Sequence, residues 1–461
     1  MRRAALAALV LGAVACGDSE APPRAQWVVT ITTDAPPPPF FDRMLVEVLD
    51  DTGALACGAG CRRSFAITSD TVWPFELGVT ASSAPTHVRA RIHRSDHVDA
   101  AGLPLAPMLI DVMGRLPEAN GITPVELTAP MACFGVASDP AGHVACDPSE
   151  HVLGDEPRLG PPSSTPLVAG SWGPAQRVQC RGDIPPGMVC IPGGAFFLGR
   201  AFAVPSLLNT TPEHLVKVSP FALDVDEMTV GTVRQLIRGT ELERGPTVPV
   251  ADPMDPDSAC TWRGVSSAEN DALPINCVRW GFAGRVCEML GKRMPTEAEY
   301  EWAAGNTTLE TDYPWGGDPD TCANARVAHG RLRTETTGVE APSCRRKQTP
   351  LPPWGPVAGG HPKDVTLLGV RNLAGNLSEW AGDRFYAAFT DPCWGNPTTL
   401  VENPRCDLEA SRLLTAAPAR GGSWSDIELF SRSIARVPKV ATAEHLEWAP
   451  SVGFRCARDA R

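Results

Sequence analysis

The 461-residue chain is short of positive charge. Only five lysines occur, and 53 acidic residues outweigh 41 basic ones for a formal charge of −12. A basic nucleic-acid binder is therefore disfavoured, because neutralising phosphates needs a cationic face. The scarcity of lysine beside arginine reads as the codon bias of a GC-rich genome rather than a binding adaptation. No Cys-x-x-Cys pair occurs, so a zinc site has no support from spacing. No internal repeat is visible, and past residue 15 no apolar run reaches the length of a membrane-spanning helix. Charged residues make up 20% and hydrophobic residues 43%, which excludes wholesale disorder.

Turn formers are abundant. Pro (46) and Gly (42) together make about a fifth of the chain, so many loops and few long helices are expected. The length suggests about three domains as a prior. Fifteen cysteines point to an oxidising compartment and hence to export. The N-terminus agrees. Arg2 and Arg3 precede an apolar run from Ala4 to Ala15, which ends in Ala13-Val14-Ala15-Cys16. Charge, apolar stretch and small residues are the parts of a secretory signal, and twelve helical residues reach only about 18 Å, too short to span a bilayer. Cys16 directly after the small residues resembles the lipobox of bacterial lipoproteins, although Ala13 stands where leucine is usual. That resemblance implies a diacylglycerol on Cys16 and anchoring in the cell envelope, with membrane and leaflet undefined. The competing reading is an ordinary cleaved signal. Without Cys16, fourteen cysteines remain, enough for seven disulfides.

Residues 1–15 are thus expected to be a signal peptide and 16–26 a tether. Residues 27–148 read as an antiparallel β-sandwich, because short runs such as Val28-Val29-Thr30-Ile31-Thr32, Met44–Leu49 and His87–Ile92 alternate with Gly, Pro and Asp turns. His93 and His97 sit four apart, but in a strand-like context they are expected as an exposed loop pair rather than a metal site. Residues 149–178 read as a linker by composition. From Cys180 the texture changes. Phe282, Val286, Met289 and Leu290 lie on one helical face, with Gly291 as the stop. Thr296 with Glu299 forms a capping box for a second helix.

Seven ordered motifs carry a resemblance. Met188-Val189-Cys190-Ile191-Pro192-Gly193-Gly194 with Phe197-Leu198-Gly199 opens the series. Pro274-Ile275-Asn276-Cys277-Val278-Arg279-Trp280 and the string Gly291–Ala304 (GKRMPTEAEYEWAA) follow. Then come Tyr313-Pro314-Trp315-Gly316, Asn372–Trp380 (NLAGNLSEW), Arg420-Gly421-Gly422-Ser423-Trp424 and Gly453-Phe454-Arg455-Cys456. Together they resemble the formylglycine-generating enzyme (sulfatase-modifying factor) family over about residues 180–459. The resemblance implies, over 180–461, a loop-rich C-type-lectin-like α+β domain, so that with the β-sandwich read at the N-terminus the expected class is α+β. It also implies a disulfide between Cys287 and Cys456. Closing so long a loop contributes roughly 4–5 kcal/mol on the chain-entropy model. By proximity alone, Cys180 pairs with Cys190, Cys260 with Cys277, Cys322 with Cys344 and Cys393 with Cys406.

Family enzymes oxidise a substrate cysteine using two active-site cysteines that hold copper(I), a soft ion suited to thiolates. Counting from the Gly-Gly-Ser motif, those positions fall on Asp426 and Ser431, beside Ser423, and a pocket tryptophan falls on Ser378. None supplies a thiolate, so copper is not expected and formylglycine generation is not expected. By the same resemblance, calcium is held by Asn372, Gly375, Leu377 and Glu379, with Asn324 and Ala325 at ligand positions of a second site whose acidic half is not traceable through the insertion at 330–355. Oxygen donors suit a hard cation. The expectation is an envelope-anchored accessory or ligand-binding module, contacting the membrane through its lipid. Trp262, Trp394, Trp424 and Trp448 are candidate contacts for a glycan or protein ligand. The alternative is an enzyme of altered chemistry in the same pocket, which a metal or polar cluster there would support.

Overall fold

The computed structural model describes residues 24–38, 40–82, 84–202, 207–244, 260–327, 344, 355–386, 389, 393–407, 416–440 and 449–460. Residues 1–23, which hold the expected signal peptide, Cys16 and most of the expected tether, lie outside the described residues, as does Trp448.

The N-terminal region holds β1 (Gln26–Thr32), β2 (Arg43–Asp50), β3 (Arg62–Ala66), β4 (Phe75–Thr80), β5 (Thr86–His93), β6 (Ile110–Arg115) and β7 (Ile122–Thr128). They form two sheets, ordered β4-β1-β7 and β3-β2-β5-β6. Val29, Ile31, Met44, Val46, Val88, Ala90, Ile92, Val125 and Leu127 from both sheets share one core. The period-two pattern of β5 is the cause: Val88, Ala90 and Ile92 face that core, while Arg89 and Arg91 take the other side. There Arg89 pairs with Asp111 and Arg91 with Glu47, whose carboxylate also takes Arg62. The purely antiparallel expectation is corrected at one pair. β1 and β7 run parallel, which is allowed because the chain between them crosses through the other sheet.

Two further expectations are corrected. His93 and His97 are not an exposed pair; both are buried, and His97 Nε2 lies 2.9 Å from Glu213. Nor is 149–178 a free linker. It contains β9 (Val152–Asp155), which pairs with β8 (Val144–Asp147). Leu159 then enters the N-terminal core, with its N–H donating to Arg115 and the Pro157 carbonyl accepting from Arg115 N–H. Gly170 and Trp172 donate to the carbonyls of Ala35 and Asp34. Turn-rich composition shapes this segment, but tertiary hydrogen bonds hold it down.

The second region begins with β10 (Met188–Ile191), β11 (Gly194–Leu198), β12 (His214–Val218) and β13 (Phe221–Asp224). Helices α1 (Val230–Ile237), α2 (Trp280–Met289), α3 (Glu297–Ala304) and α4 (Thr321–Asn324) follow. The chain closes with β14 (Ser378–Trp380), β15 (Val401–Glu402), β16 (Ala416–Arg420), β17 (Arg436–Val440), β18 (Val452–Gly453) and β19 (Ala457–Asp459). The sheets are β10-β13-β19, β11-β12-β15 and β17-β16-β14-β18. The whole is a mixed α+β protein in which strands predominate.

In α2 the buried stripe is Ala283, Val286 and Cys287, and Met289 is exposed. Of the expected face, Val286 is buried and Phe282 and Leu290 pack against the same core, so only Met289 departs from it; Cys287 joins the core and bonds to Cys456. Gly291, at φ +68°, ends the helix, and Lys292 N–H returns to the Cys287 carbonyl. All eight residues of α3 are buried behind its capping box.

The two regions share a core. Phe197 of β11 packs against Phe40, Phe41 and Phe134. Arg94 reaches across to Glu310 at 2.7 Å, and Phe197 N–H donates to that carboxylate's other oxygen. A cavity of about 220 Å³ opens at this junction, among Arg94, Glu213, Glu310 and Arg200.

Candidate functional site

The Gly-Gly-Ser turn leaves β16 against the 372–375 loop. A Cβ at Gly421 would stand 2.6 Å from the Leu373 carbonyl and the Tyr300 hydroxyl, and one at Gly422 would stand 2.9 Å from the Ala374 carbonyl. Only glycine passes there. Ser423 Oγ then accepts from the N–H groups of Ser425 and Asp426. This turns the Asp426 carboxylate inward, where it accepts a 2.8 Å hydrogen bond from Ser378 Oγ on β14. Ser378, Ser423 and Ser431 are fully buried, and Asp426 nearly so. Ser431 ends a single 3₁₀ turn, and its hydroxyl, beside Gly422, has no hydrogen-bond partner among the described residues.

Sequence-distant residues therefore converge where expected, but as a packed cluster of hydroxyls with one carboxylate. Chemically it can hold a loop, and among the described residues it offers no thiolate; its one carboxylate is hydrogen-bonded to the Ser378 hydroxyl. Every cysteine among the described residues is in a disulfide. Trp262, Trp394 and Trp424, the candidate contacts among the described residues, are buried.

Next to this cluster lies the loop expected to bind calcium. Asn372 adopts a left-handed φ of +59°. Its Oδ1 accepts from His361 N–H, and its amide donates to Glu227. Glu227 also accepts from Asn376 Nδ2 and Leu377 N–H. Both oxygens of Glu379 face the Arg455 guanidinium at 2.6 Å, and both side chains are fully buried. Burial pushes the Glu227 carboxyl well above the usual range, reinforced by the charge of Glu379. Burial likewise pushes Asp364 up to about 7. One oxygen of Asp364 accepts from Ala374 N–H, and the other, also buried, has no partner among the described residues.

The side-chain donors, an amide oxygen and carboxylate oxygens of which one on Asp364 is without a partner among the described residues, are of the type that suits a hard cation, in a region where acidic groups outnumber Arg455. Arg455 occupies one position on each Glu379 oxygen, so the remaining lone pairs are what a cation would use. At the second expected site, Asn324 is nearly buried and donates to Asp318 and to the Asp320 carbonyl; Ala325 is buried. The acidic half falls mostly outside the described residues.

Glu227 and Asp364 were not singled out by sequence reasoning. Glu227 lies 145 residues before Asn372, so no local spacing signals it. The same holds for His97 with Glu213.

A loop-rich α+β domain with this motif order and this cysteine-to-cysteine bridge defines the sulfatase-modifying class. Residues 175–460 match the family described as "Sulfatase-modifying factor enzyme 1-like domain", and the chain belongs to that family. It is 27% identical over 326 residues to the formylglycine-generating enzyme of Streptomyces coelicolor, covering 64% of this chain and 95% of that protein. It is 26% identical over 305 residues to the "Inactive C-alpha-formylglycine-generating enzyme 2" of Mus musculus, covering 60% of this chain and 86% of that one. Among solved structures, PvdO from Pseudomonas aeruginosa aligns with 59% of this chain and 94% of its own, at 21% identity and a TM-score of 0.41.

Proposed function

We propose that this chain is an exported, lipid-anchored accessory or ligand-binding module whose family domain does not generate formylglycine. One observation carries the reading. The two positions that hold copper thiolates in family enzymes are Asp426 and Ser431, and Asp426 spends its carboxylate on Ser378 inside a packed cluster. A carboxylate and a hydroxyl are poor partners for copper(I). Relatives described as active and as inactive lie at about the same identity, so likeness alone does not choose between them. The test is turnover. The full chain, with copper, oxygen and a sulfatase-motif cysteine peptide, is expected to leave the peptide mass unchanged while a family enzyme converts it. Conversion by this chain sinks the reading.

Two parts of the proposal have their own tests. The anchor rests on Ala13-Val14-Ala15-Cys16 and on the seven disulfides, which pair every cysteine except Cys16. Cys16→Ser is expected to move the protein from the membrane to the soluble fraction. Structural calcium rests on the oxygen donors around Asn372, Gly375, Leu377 and Glu379. A chelator is expected to lower the melting temperature of the wild-type chain, and calcium to restore it; an unchanged melt removes calcium from the proposal.

A further inference from the structure

We propose that Asp51, His87 and His143, in the N-terminal region, form a binding site for a first-row divalent cation of the zinc type. Four strand ends meet at one corner to build it. Asp51 follows β2, His87 is the second residue of β5, His143 precedes β8, and Glu156 follows β9. One ligand atom from each of Asp51, His87 and His143 lies within 4.8 Å of the other two.

His87 is the anchor. Its side chain is nearly buried, and its Nδ1 meets both oxygens of the equally buried Glu156, at 2.7 and 2.8 Å. With Glu156 accepting the Nδ1 proton, the Nε2 lone pair is left pointing outward. A carboxylate behind the imidazole is the arrangement that orients a metal-bound histidine and raises its basicity. On the outward side Nε2 meets Asp51 Oδ1 at 3.4 Å. A cation between these two atoms, or a proton on Nε2, makes the contact favourable. The separation suits a cation. Arms of about 2.0–2.1 Å in tetrahedral geometry put neighbouring ligand atoms roughly 3.3–3.4 Å apart.

His143 completes the set. Its ring centroid is 5.2 Å from that of His87, and its Nδ1 is 3.6 Å from Glu156. Its backbone is held in place. His143 takes a left-handed φ of +53°, and its carbonyl accepts from Glu156 N–H. The Cys133–Cys146 bridge ties down the β8 strand that follows. Asp51 sits in an equally fixed turn, where Asp50 accepts from Thr52 and Ala54 and Gly53 packs against Pro140 and Ala141. The side chains of Asp51 and His143 are open to solvent, so an ion can enter and one coordination position stays free for water or a ligand. Two imidazoles with one carboxylate select zinc-type ions over calcium or magnesium.

The test uses the full chain stripped of metal with a chelator. Titrated with Zn²⁺ alone in a calorimeter, the wild-type chain is expected to bind one ion at this site. His143→Ala and Asp51→Asn, both at exposed positions, are each expected to weaken binding at least tenfold without moving the metal-free melting temperature. Glu156→Gln is expected to weaken it by about 10–100-fold. Co²⁺ in place of Zn²⁺ is expected to give the intense visible bands of a tetrahedral site, which Asp51→Asn removes. Absence of stoichiometric binding would mean that a proton bridges His87 and Asp51, and would overturn the proposal. Equal affinity in the His143 and Asp51 variants would place the ion elsewhere and overturn it equally.

Discussion

Buried charge in the family domain concentrates on three arginines, Arg420, Arg436 and Arg455. Glu297 serves two of them: Arg436 contacts both its oxygens, and Arg420 lies 3.4 Å away. Glu297→Ala leaves two guanidiniums buried with fewer partners, and is expected to destabilise by about 3–5 kcal/mol, read from the urea midpoint. His97 gives a pH signature. Burial lowers its pKa, but Glu213 and Asp96 outweigh burial, and the value is raised above 6.5. A raised histidine contributes stability in full below its unfolded value and loses it as pH climbs through the folded value. The stability difference between wild type and His97→Gln is therefore expected to shrink as pH rises above 6.5; a gap that stays flat would mean the pair contributes no charge effect. At this scale the sequence was legible where a motif numbers the residues. Asp426, Ser431 and Ser378 could be counted out from Gly-Gly-Ser and Asn-Leu-Ala-Gly. The partners Glu227, Asp364 and Glu213 could not, since each meets its contact only after the chain folds back.

Helix ends are local and were read correctly. Thr296 Oγ1 accepts from Glu299 N–H, and the Glu299 carboxylate accepts from Thr296 N–H, as the capping box requires. Thr296→Ala is expected to cost about 1 kcal/mol in thermal unfolding. Faces are less local. In α2, periodicity selected Phe282, Val286, Met289 and Leu290; Val286 is buried and Phe282 and Leu290 pack against the core, but Met289 is exposed and Ala283 and Cys287 are buried beside them. The Cys287–Cys456 bridge encloses 169 residues of separation. Replacing both cysteines by serine is expected to lower stability by roughly 5 kcal/mol on the chain-entropy model. A loss below about 1 kcal/mol would show that packing of α2 against the C-terminal strands already holds this end.

Across the whole molecule the decisive feature is the joint core. Phe197 belongs to a family motif yet buries its ring among Phe40, Phe41 and Phe134 of the N-terminal sheets. Phe197→Ala is expected to cost about 3–5 kcal/mol and to split one calorimetric transition into two, the signature of regions that have lost their coupling. The sequence by itself determined the α+β class, the ordered family motifs, the turn chemistry and the missing thiolates, because each is written in residue type at short spacing. Tertiary structure alone decided that 149–178 packs rather than links, that β1 runs parallel to β7, and that Trp262, Trp394 and Trp424 are interior. It also decided that Asp51, His87, His143 and Glu156 meet. Those outcomes depend on contacts between segments far apart in the chain, and no local pattern encodes which distant surface a turn-rich stretch or a lone histidine will face.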